Sequence, residues 1–116
     1  MMHRAVLVAP RQITFEDVHI PTPAADQALI KVDSCALCTW EQRLYTGEEQ
    51  AYPIVGGHEV SGVVAAKGRH VFGLEVGEHV ALAGLNRCGQ CESCRRGYDN
   101  ICENASKIRD ADPPGG

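Results

Sequence analysis

Four of the chain's cysteines cluster in NRCGQCESCRRGYDNICEN, residues 86–104. They have the spacing C-x2-C-x2-C-x7-C and are Cys88, Cys91, Cys94 and Cys102. A gap of two residues lets a tight loop turn successive thiolates toward one centre about 2.3 Å away. Four thiolates complete a tetrahedral zinc shell and leave no position for water or substrate. The spacing therefore predicts a structural zinc site.

Spacing alone leaves two alternatives to zinc open for this cluster. Four free buried thiols would need no metal, although so dense a cluster disfavours that alternative. An iron–sulfur centre also uses thiolates, but a bacterial ferredoxin places its fourth cysteine after three residues and follows it with proline. Here the last gap is seven residues, and Glu103 follows Cys102. The spacing favours zinc without excluding iron.

Two shorter motifs upstream also carry reactive residue types. GGHE, residues 56–59, puts the imidazole of His58 on a loop where glycines allow close approach of the backbone. The alternative is an exposed loop pair, His58 and Glu59, without a metal. CALC, residues 35–38, has the C-x-x-C spacing of redox proteins but lacks the βαβ setting of that motif. Neither motif alone identifies a site.

The composition is that of an ordinary soluble globular domain. The chain has 116 residues, 44% of them hydrophobic and 22% charged, and a formal net charge of -4. Because the charges form no blocks, we expect no nucleic-acid partner and no binding to an anionic membrane. The apolar stretch near the start is too short for a membrane span or a signal peptide. We therefore expect a cytoplasmic protein, in which clustered thiols favour metal over disulfides.

Short β-strands dominate the pattern of apolar residues and turns. The predicted strands are AVLV at 5–8, ITFEDVHI at 13–20, ALIKVDS at 28–34, VSGVVAAKG at 60–68 and GEHVALA at 77–83. In the second strand, Ile13, Phe15 and Val18 are predicted to point inward.

Only two short helices are predicted. Thr39 is expected to cap one that continues to Tyr45 and stops at Gly47. A single turn is expected over residues 92–96. The polar, proline- and glycine-rich tail at 110–116 is predicted to be a loop.

Taken together, the motifs resemble one family, the zinc-dependent medium-chain alcohol and polyol dehydrogenases, and within it the GroES-like N-terminal catalytic domain. The resemblance runs from about Ala5 to Gly116. Its most specific parts are the cysteine cluster and GHEVSGVVAAKGRHV, which fits the family pattern G-H-E-x2-G-x5-G-x2-V. It implies a mainly β fold: an antiparallel, Greek-key-like and GroES-like partial β-barrel with short helices and a zinc-binding loop lobe at residues 86–104.

The resemblance also implies roles for individual residues. By position in the motifs, Cys38 and His58 match the ligands of the catalytic zinc, and Glu59 matches an acid that binds it in some members. The four clustered cysteines match the structural zinc lobe, and Cys35 matches a cysteine that is usually no ligand. In this chemistry, zinc lowers the pKa of the bound alcohol and leaves its carbon ready to give hydride to NAD or NADP.

The chain departs from the family pattern in two ways. After the ligand cysteine the family has Gly or Arg, then Ser or Thr, then Asp, and the hydroxyl relays the alcohol proton. Here the residues are Thr39, Trp40 and Glu41, so Thr39 is the remaining hydroxyl. Trp40 either shapes a pocket that excludes bulky substrates or simply packs. The chain also lacks a G-x-G-x-x-G and thus a Rossmann domain.

These departures predict a fragment: residues 1–116 form one GroES-like N-terminal domain, incomplete at its C-terminus. The first function hypothesis is the front part of a zinc-dependent NAD(P) alcohol or polyol dehydrogenase that acts on a small-molecule alcohol. The alternative is a non-enzymatic zinc module or remnant that partners a full-length relative. For the isolated chain we expect no dehydrogenase activity and about one tightly held zinc, and an uncovered sheet edge would allow homo-oligomers.

Overall fold

Two units make up the chain, residues 1–82 and residues 83–115. The structure, a computed structural model, describes residues 1–83 and 87–106. The predicted loop at 110–116 and the first residue of the predicted zinc lobe, Asn86, lie outside the described residues.

The first unit begins with a β-hairpin. Strand β1, Met2–Ala9, pairs antiparallel with β2, Gln12–Val18, and a register shift occurs near the turn. Arg11 in that turn has φ 60. Across the strands, Arg4 Nε donates to Glu16 Oε1 at 2.6 Å. Both predicted strands are confirmed.

The predicted inward face of β2 is wrong. Ile13 is 51% exposed and Phe15 78%, and only Val18 is half-buried. Alternation shows that a strand has an apolar face, but it does not show that another element covers that face. Within residues 1–83 and 87–106, the hydrogen-bonded partner of β2 is β1 alone.

Three further strands form a second antiparallel sheet in the order β3-β4-β5. They are β3 Ala28–Ala36, β4 Glu59–Lys67 and β5 His79–Ala81. Val64 of β4 is buried, and Gly62 lies against β3 so closely that an added Cβ would come within 2.2 Å of the Lys31 carbonyl oxygen. The mainly β class is confirmed. Since consecutive strands are neighbours, the described strands form a hairpin and a meander rather than the expected Greek-key order. They do not close into a barrel, which agrees with the predicted partial barrel.

One helix, α1 at Thr39–Thr46, lies between β3 and β4 in the chain. Its N-cap is Cys38, one residue before the predicted Thr39, because the sulfur of Cys38 accepts from the backbone of the first turn. Gly47, with φ 90, ends the helix as predicted. Leu44 is buried, so α1 contributes to the core of this unit.

Backbone hydrogen bonds attach the hairpin to the rest of the first unit. Leu7 and Ile54 form a two-way bridge, with N–O distances of 2.9 and 3.0 Å. The N–H of Arg11 donates to the Tyr45 carbonyl of α1 at 2.9 Å. The hairpin therefore supports both α1 and the segment that precedes the GGHE motif.

Residues 87–104 of the second unit contain two short helical segments around the cysteines. Helix α2, Glu92–Arg95, confirms the predicted turn and is capped by Cys91. A 3₁₀-helix at Asp99–Ile101 was not predicted. Arg87 Nη1 donates to Asp99 Oδ2 at 2.6 Å and links the start of the loop to this segment. Across both described ranges, no helix is long and apolar enough to cross a membrane.

Candidate metal centres

The register of β3 and β4 brings the two upstream candidate ligands together. Ala36 lies opposite Glu59, so the end of β3 and the start of β4 meet at one edge of the sheet. Cys38 follows that end of β3, and His58 directly precedes β4. As a result, Cys38 Sγ lies 3.5 Å from His58 Nε2 although twenty residues separate them in sequence.

This distance fits a shared metal ion. A tetrahedral zinc bound by a thiolate and an imidazole separates the two donor atoms by about 3.5 Å, from bond lengths of about 2.3 and 2.0 Å. The observed 3.5 Å agrees with that value. A thiolate and an imidazole are also the donor types that zinc prefers.

Glu41 holds the imidazole in the orientation that metal binding needs. Its Oε1 lies 2.8 Å from His58 Nδ1 and accepts from the Gly57 N–H at 3.2 Å, while Oε2 accepts from the Cys38 N–H at 2.9 Å. A hydrogen bond at Nδ1 fixes the tautomer that leaves Nε2 free for a metal. Since both carboxylate oxygens already have partners, Glu41 acts as an orienting residue rather than as a ligand.

Sequence reasoning missed this role of Glu41. A usable signal was the spacing C-x-x-E from Cys38 to Glu41, because an acid at the third helical position often closes a capping box. The predicted N-cap, Thr39, lies one residue after the observed N-cap, Cys38, so the prediction does not contain this pairing. The structure shows both hydrogen bonds of the box.

The environment of Glu41 favours its charged form. Only 8% of the residue is exposed. Burial acts to raise the pKa of this carboxyl, but hydrogen bonds from the Cys38 side chain and from backbone N–H groups, including those of Cys38 and Gly57, outweigh burial and lower it. Glu41 therefore offers an ionised carboxylate to the ring of His58.

The loop before His58 depends on glycine at position 57. Gly57 has φ +98, where other residues are strained. A Cβ at this position would lie 2.4 Å from Cys35 Sγ. The exposed Cys35 thus lies against the loop at Gly57. Its sulfur does not join the donor atoms of Cys38, Glu41 and His58, which all lie within 4.8 Å of one another.

The structure places two other predicted site residues outside this group. Glu59 is exposed at the start of β4, and Thr39 is exposed at the start of α1. Both lie next in sequence to a member of the group, Glu59 to His58 and Thr39 to Cys38. Neither contributes an atom to it as the side chains stand.

In the second unit, the four clustered cysteines converge. Their sulfur atoms all lie within 4.8 Å of one another, and a tetrahedral zinc–thiolate shell needs separations of about 3.8 Å. Cys102 is buried and the other three are half-buried. All six cysteines of the chain are free thiols, so the cluster is not a pair of disulfides.

Nitrogen–hydrogen groups donate to the sulfur atoms of the cluster. Backbone N–H groups of Gln90 and Cys91 donate to Cys88 at 3.4 and 3.3 Å, and the side-chain amide of Asn104 donates to the same sulfur at 3.4 Å. The Cys88 N–H in turn donates to Cys102 Sγ at 3.3 Å. Such donors stabilise thiolates, the form that binds metal.

The acidities of two thiols in this cluster differ strongly. The Asn104 amide, followed by the backbone N–H groups of Gln90 and Cys91, lowers the pKa of Cys88 to about 6. Burial raises the pKa of Cys94 to about 12, and hydrogen bonds with the other three thiols act in the same direction. A dication at the centre of the cluster would have to displace the proton of Cys94.

With this geometry in place, comparison with known proteins decides the family. Residues 24–116 match the model of the alcohol dehydrogenase GroES-like domain. The chain belongs to that family. The resemblance to the medium-chain alcohol dehydrogenases inferred from the two motifs is thereby confirmed.

Individual relatives agree with this assignment. L-Threonine 3-dehydrogenase of Stenotrophomonas maltophilia is 36% identical over 105 residues, which cover 86% of this chain and 31% of the relative. An Escherichia coli alcohol dehydrogenase solved with NADH has 36% identity and a TM-score of 0.75, over 87% of this chain and 30% of its own. A cobalt- and zinc-bound alcohol dehydrogenase of Pyrobaculum aerophilum has 26% identity and a TM-score of 0.79, over 90% of this chain and 33% of its own. The chain thus spans about a third of the length of the relatives it matches.

Proposed function

We propose that this chain forms the metal-binding part of a zinc-dependent NAD(P) alcohol dehydrogenase that oxidises a small-molecule alcohol. The observation that carries the proposal is the pairing of Cys38 Sγ with His58 Nε2 at 3.5 Å, with His58 Nδ1 held by Glu41. Two donors and an orienting carboxylate are a specific arrangement, which a loop histidine and a helix-capping cysteine would not adopt by chance.

In this proposal Cys38 and His58 hold a catalytic zinc. When bound, the zinc acts as a Lewis acid on the alcohol oxygen. Glu41 keeps the imidazole oriented and raises its basicity as a ligand. Thr39, exposed beside Cys38, is the proposed hydroxyl for carrying the alcohol proton, and Glu59 remains a proposed further ligand through its position next to His58.

The clustered cysteines take a separate role. Cys88, Cys91, Cys94 and Cys102 hold a second, structural zinc whose shell is closed to substrate. Their mutual distances and the N–H donors around them support this assignment. Binding of the nicotinamide requires a dinucleotide-binding segment, and residues 1–116 contain no G-x-G-x-x-G. The longer E. coli relative was solved with NADH. We further propose a cytoplasmic location, from the six free thiols.

A metal titration tests the upstream site. The chain is first saturated with one equivalent of zinc, and cobalt(II) is then added while its thiolate charge-transfer absorption is recorded. We expect binding of a second ion that is lost in Cys38→Ser and in His58→Ala. Cys35→Ser is the matched control, because it removes a nearby sulfur that does not join the group, and it should bind cobalt like the parent chain.

The enzymatic part of the proposal needs a longer protein. We expect a chimera of this chain with the remaining two thirds of the E. coli relative to reduce NAD or NADP with an alcohol. The same chimera with Cys38→Ser should lose activity by at least about 100-fold, whereas Cys35→Ser should keep it. Equal activity in both variants, or cobalt binding that survives Cys38→Ser, would refute the proposal in favour of a non-enzymatic zinc module.

A further inference from the structure

The tryptophan of the chain stands beside the upstream metal donors. Trp40 is the second residue of α1, and its backbone N–H donates to Cys38 Sγ at 3.3 Å. This hydrogen bond fixes the backbone of Trp40 relative to the Cys38 sulfur. The indole therefore starts from a backbone that is fixed relative to the metal donors.

The ring of Trp40 also contacts the second donor residue. Its centroid lies 6.2 Å from that of the His58 ring, with an angle of 60° between the planes. That geometry lies in the range of tilted aromatic pairs. Trp40 thus contacts Cys38 through its backbone N–H and His58 through its ring.

A large part of this indole is open to a ligand. Trp40 is 42% exposed, whereas Leu44, one helical turn further along α1, is 1% exposed. Residues four apart lie on the same helix face, so this face is buried at Leu44 and open at Trp40, the end nearest the metal donors. The side chain of His58 is itself 38% exposed. An aromatic surface therefore borders the accessible side of the donor pair.

We propose that Trp40 forms the wall of a substrate subsite and selects alcohols that carry a planar aromatic group next to the reacting carbon. This inference rests on the proposed function of Cys38 and His58. A flat ring can pack on the indole while the hydroxyl reaches the metal, and it gains burial together with an aromatic pair. A polyol chain at the same place would lose water from its hydroxyls against a largely apolar surface.

Thiols that mimic the alcohols test the subsite without any turnover. Phenylmethanethiol, cyclohexylmethanethiol and thioglycerol share a metal-binding sulfur and differ in being aromatic, saturated or polar. Each is titrated into the chain whose cysteine cluster is filled with zinc and whose upstream site is filled with cobalt(II). The charge-transfer absorption of cobalt reports binding, and Cys38→Ser supplies the background.

We expect phenylmethanethiol to bind about 3- to 10-fold more tightly than cyclohexylmethanethiol, and thioglycerol most weakly. Trp40→Phe should keep the aromatic preference, and Trp40→Leu should abolish it while cobalt still loads. An aromatic preference that survives Trp40→Leu, or tighter binding of thioglycerol, would overturn the subsite and leave the proposed function intact. If the parent chain binds no cobalt at the upstream site, both the subsite and the proposed function are overturned. Counting the bound metal ions is enough to identify this outcome.

Discussion

At the scale of single residues, one buried acid organises the upstream site. Glu41 caps the backbone at Cys38, accepts from the Gly57 N–H and binds the Nδ1 of His58. Each partner belongs to the loop or to the cap that positions a metal donor. The carboxylate therefore couples folding of this region to the geometry of the site.

The lowered pKa of Glu41 predicts how stability depends on pH. Its folded pKa lies below the ordinary value of 4.5, so the ionised carboxylate stabilises the fold fully above that value. This contribution is lost as the pH falls through the lowered folded pKa. Glu41→Gln should reduce the free energy of unfolding by about 1.5 to 3 kcal/mol near neutral pH, and the difference should shrink in acid, where the parent residue is also uncharged.

Urea unfolding followed by circular dichroism, repeated from neutral pH into acid, measures this difference. Both proteins are measured with zinc only in the cysteine cluster, so its loss in acid affects parent and variant alike and cancels in the comparison. Glu49→Gln, an exposed acid shortly after α1, is the matched control and should change stability by about 0.5 kcal/mol or less at every pH. A Glu41→Gln effect that stays constant across the pH range would contradict the assignment.

Residue types and spacing sufficed to select Cys38 and His58 as candidate metal donors, whereas the acid that contacts His58 was missed. Cys38 and His58 carry rare, reactive side chains inside recognisable motifs, so their candidacy is visible without a structure. Glu41 is one of many acids, and its role follows only once the cap is placed at Cys38 and the loop before β4 folds over α1. That long-range contact has no local signature in the sequence.

At the scale of elements, the positions of strands and helices could be predicted better than their surroundings. Apolar runs bounded by Gly and Pro located the five strands that the structure describes, and Gly47 located the end of α1. The burial of a strand face depends on which element covers it, as the exposed Phe15 shows. The order β3-β4-β5 likewise depends on pairing between distant segments.

The contact between β3 and β4 predicts a severe effect of Gly62→Ala. The added Cβ would lie 2.2 Å from the Lys31 carbonyl oxygen and 2.9 Å from Ile30 Cγ2. Since a backbone atom cannot move aside as a side chain can, the strands must separate, and the free energy of unfolding should fall by at least about 3 kcal/mol. Separation would also move Cys38 from His58, so binding of cobalt at the upstream site should weaken in parallel.

Ser61→Ala, in the same strand, is the control for this substitution. It removes a hydroxyl without adding an atom and should cost about 1 kcal/mol or less. Thermal unfolding and the cobalt titration on both variants give the comparison. Equal melting temperatures for the two variants would show that β3 and β4 do not pack as closely as the Gly62 contact indicates.

At the scale of the whole molecule, the two units differ in what stabilises them. The first has a small apolar core that includes Val6, Leu44 and Val64. In the described part of the second unit, residues 87–106, Cys102 is the buried hydrophobic residue, and its sulfur belongs to the metal-binding cluster. Because so small a unit has little apolar surface to bury, we expect metal binding to supply its folding free energy.

This reasoning predicts one tightly held zinc per chain. A closed four-thiolate site binds zinc with about 10 to 16 kcal/mol of folding-linked free energy, while the upstream site offers two ligands and should release zinc readily to a chelator. Metal analysis of the parent chain after dialysis against a chelator should therefore find about one zinc. The same analysis of Cys94→Ala should find almost none, because the cysteine cluster then lacks one of its four ligands. Cys35→Ser, which removes a sulfur outside both sites, should retain the zinc of the parent chain. Two chelator-resistant ions would mean that a residue such as Glu59 completes the upstream site, and unchanged retention in Cys94→Ala would refute the four-cysteine centre.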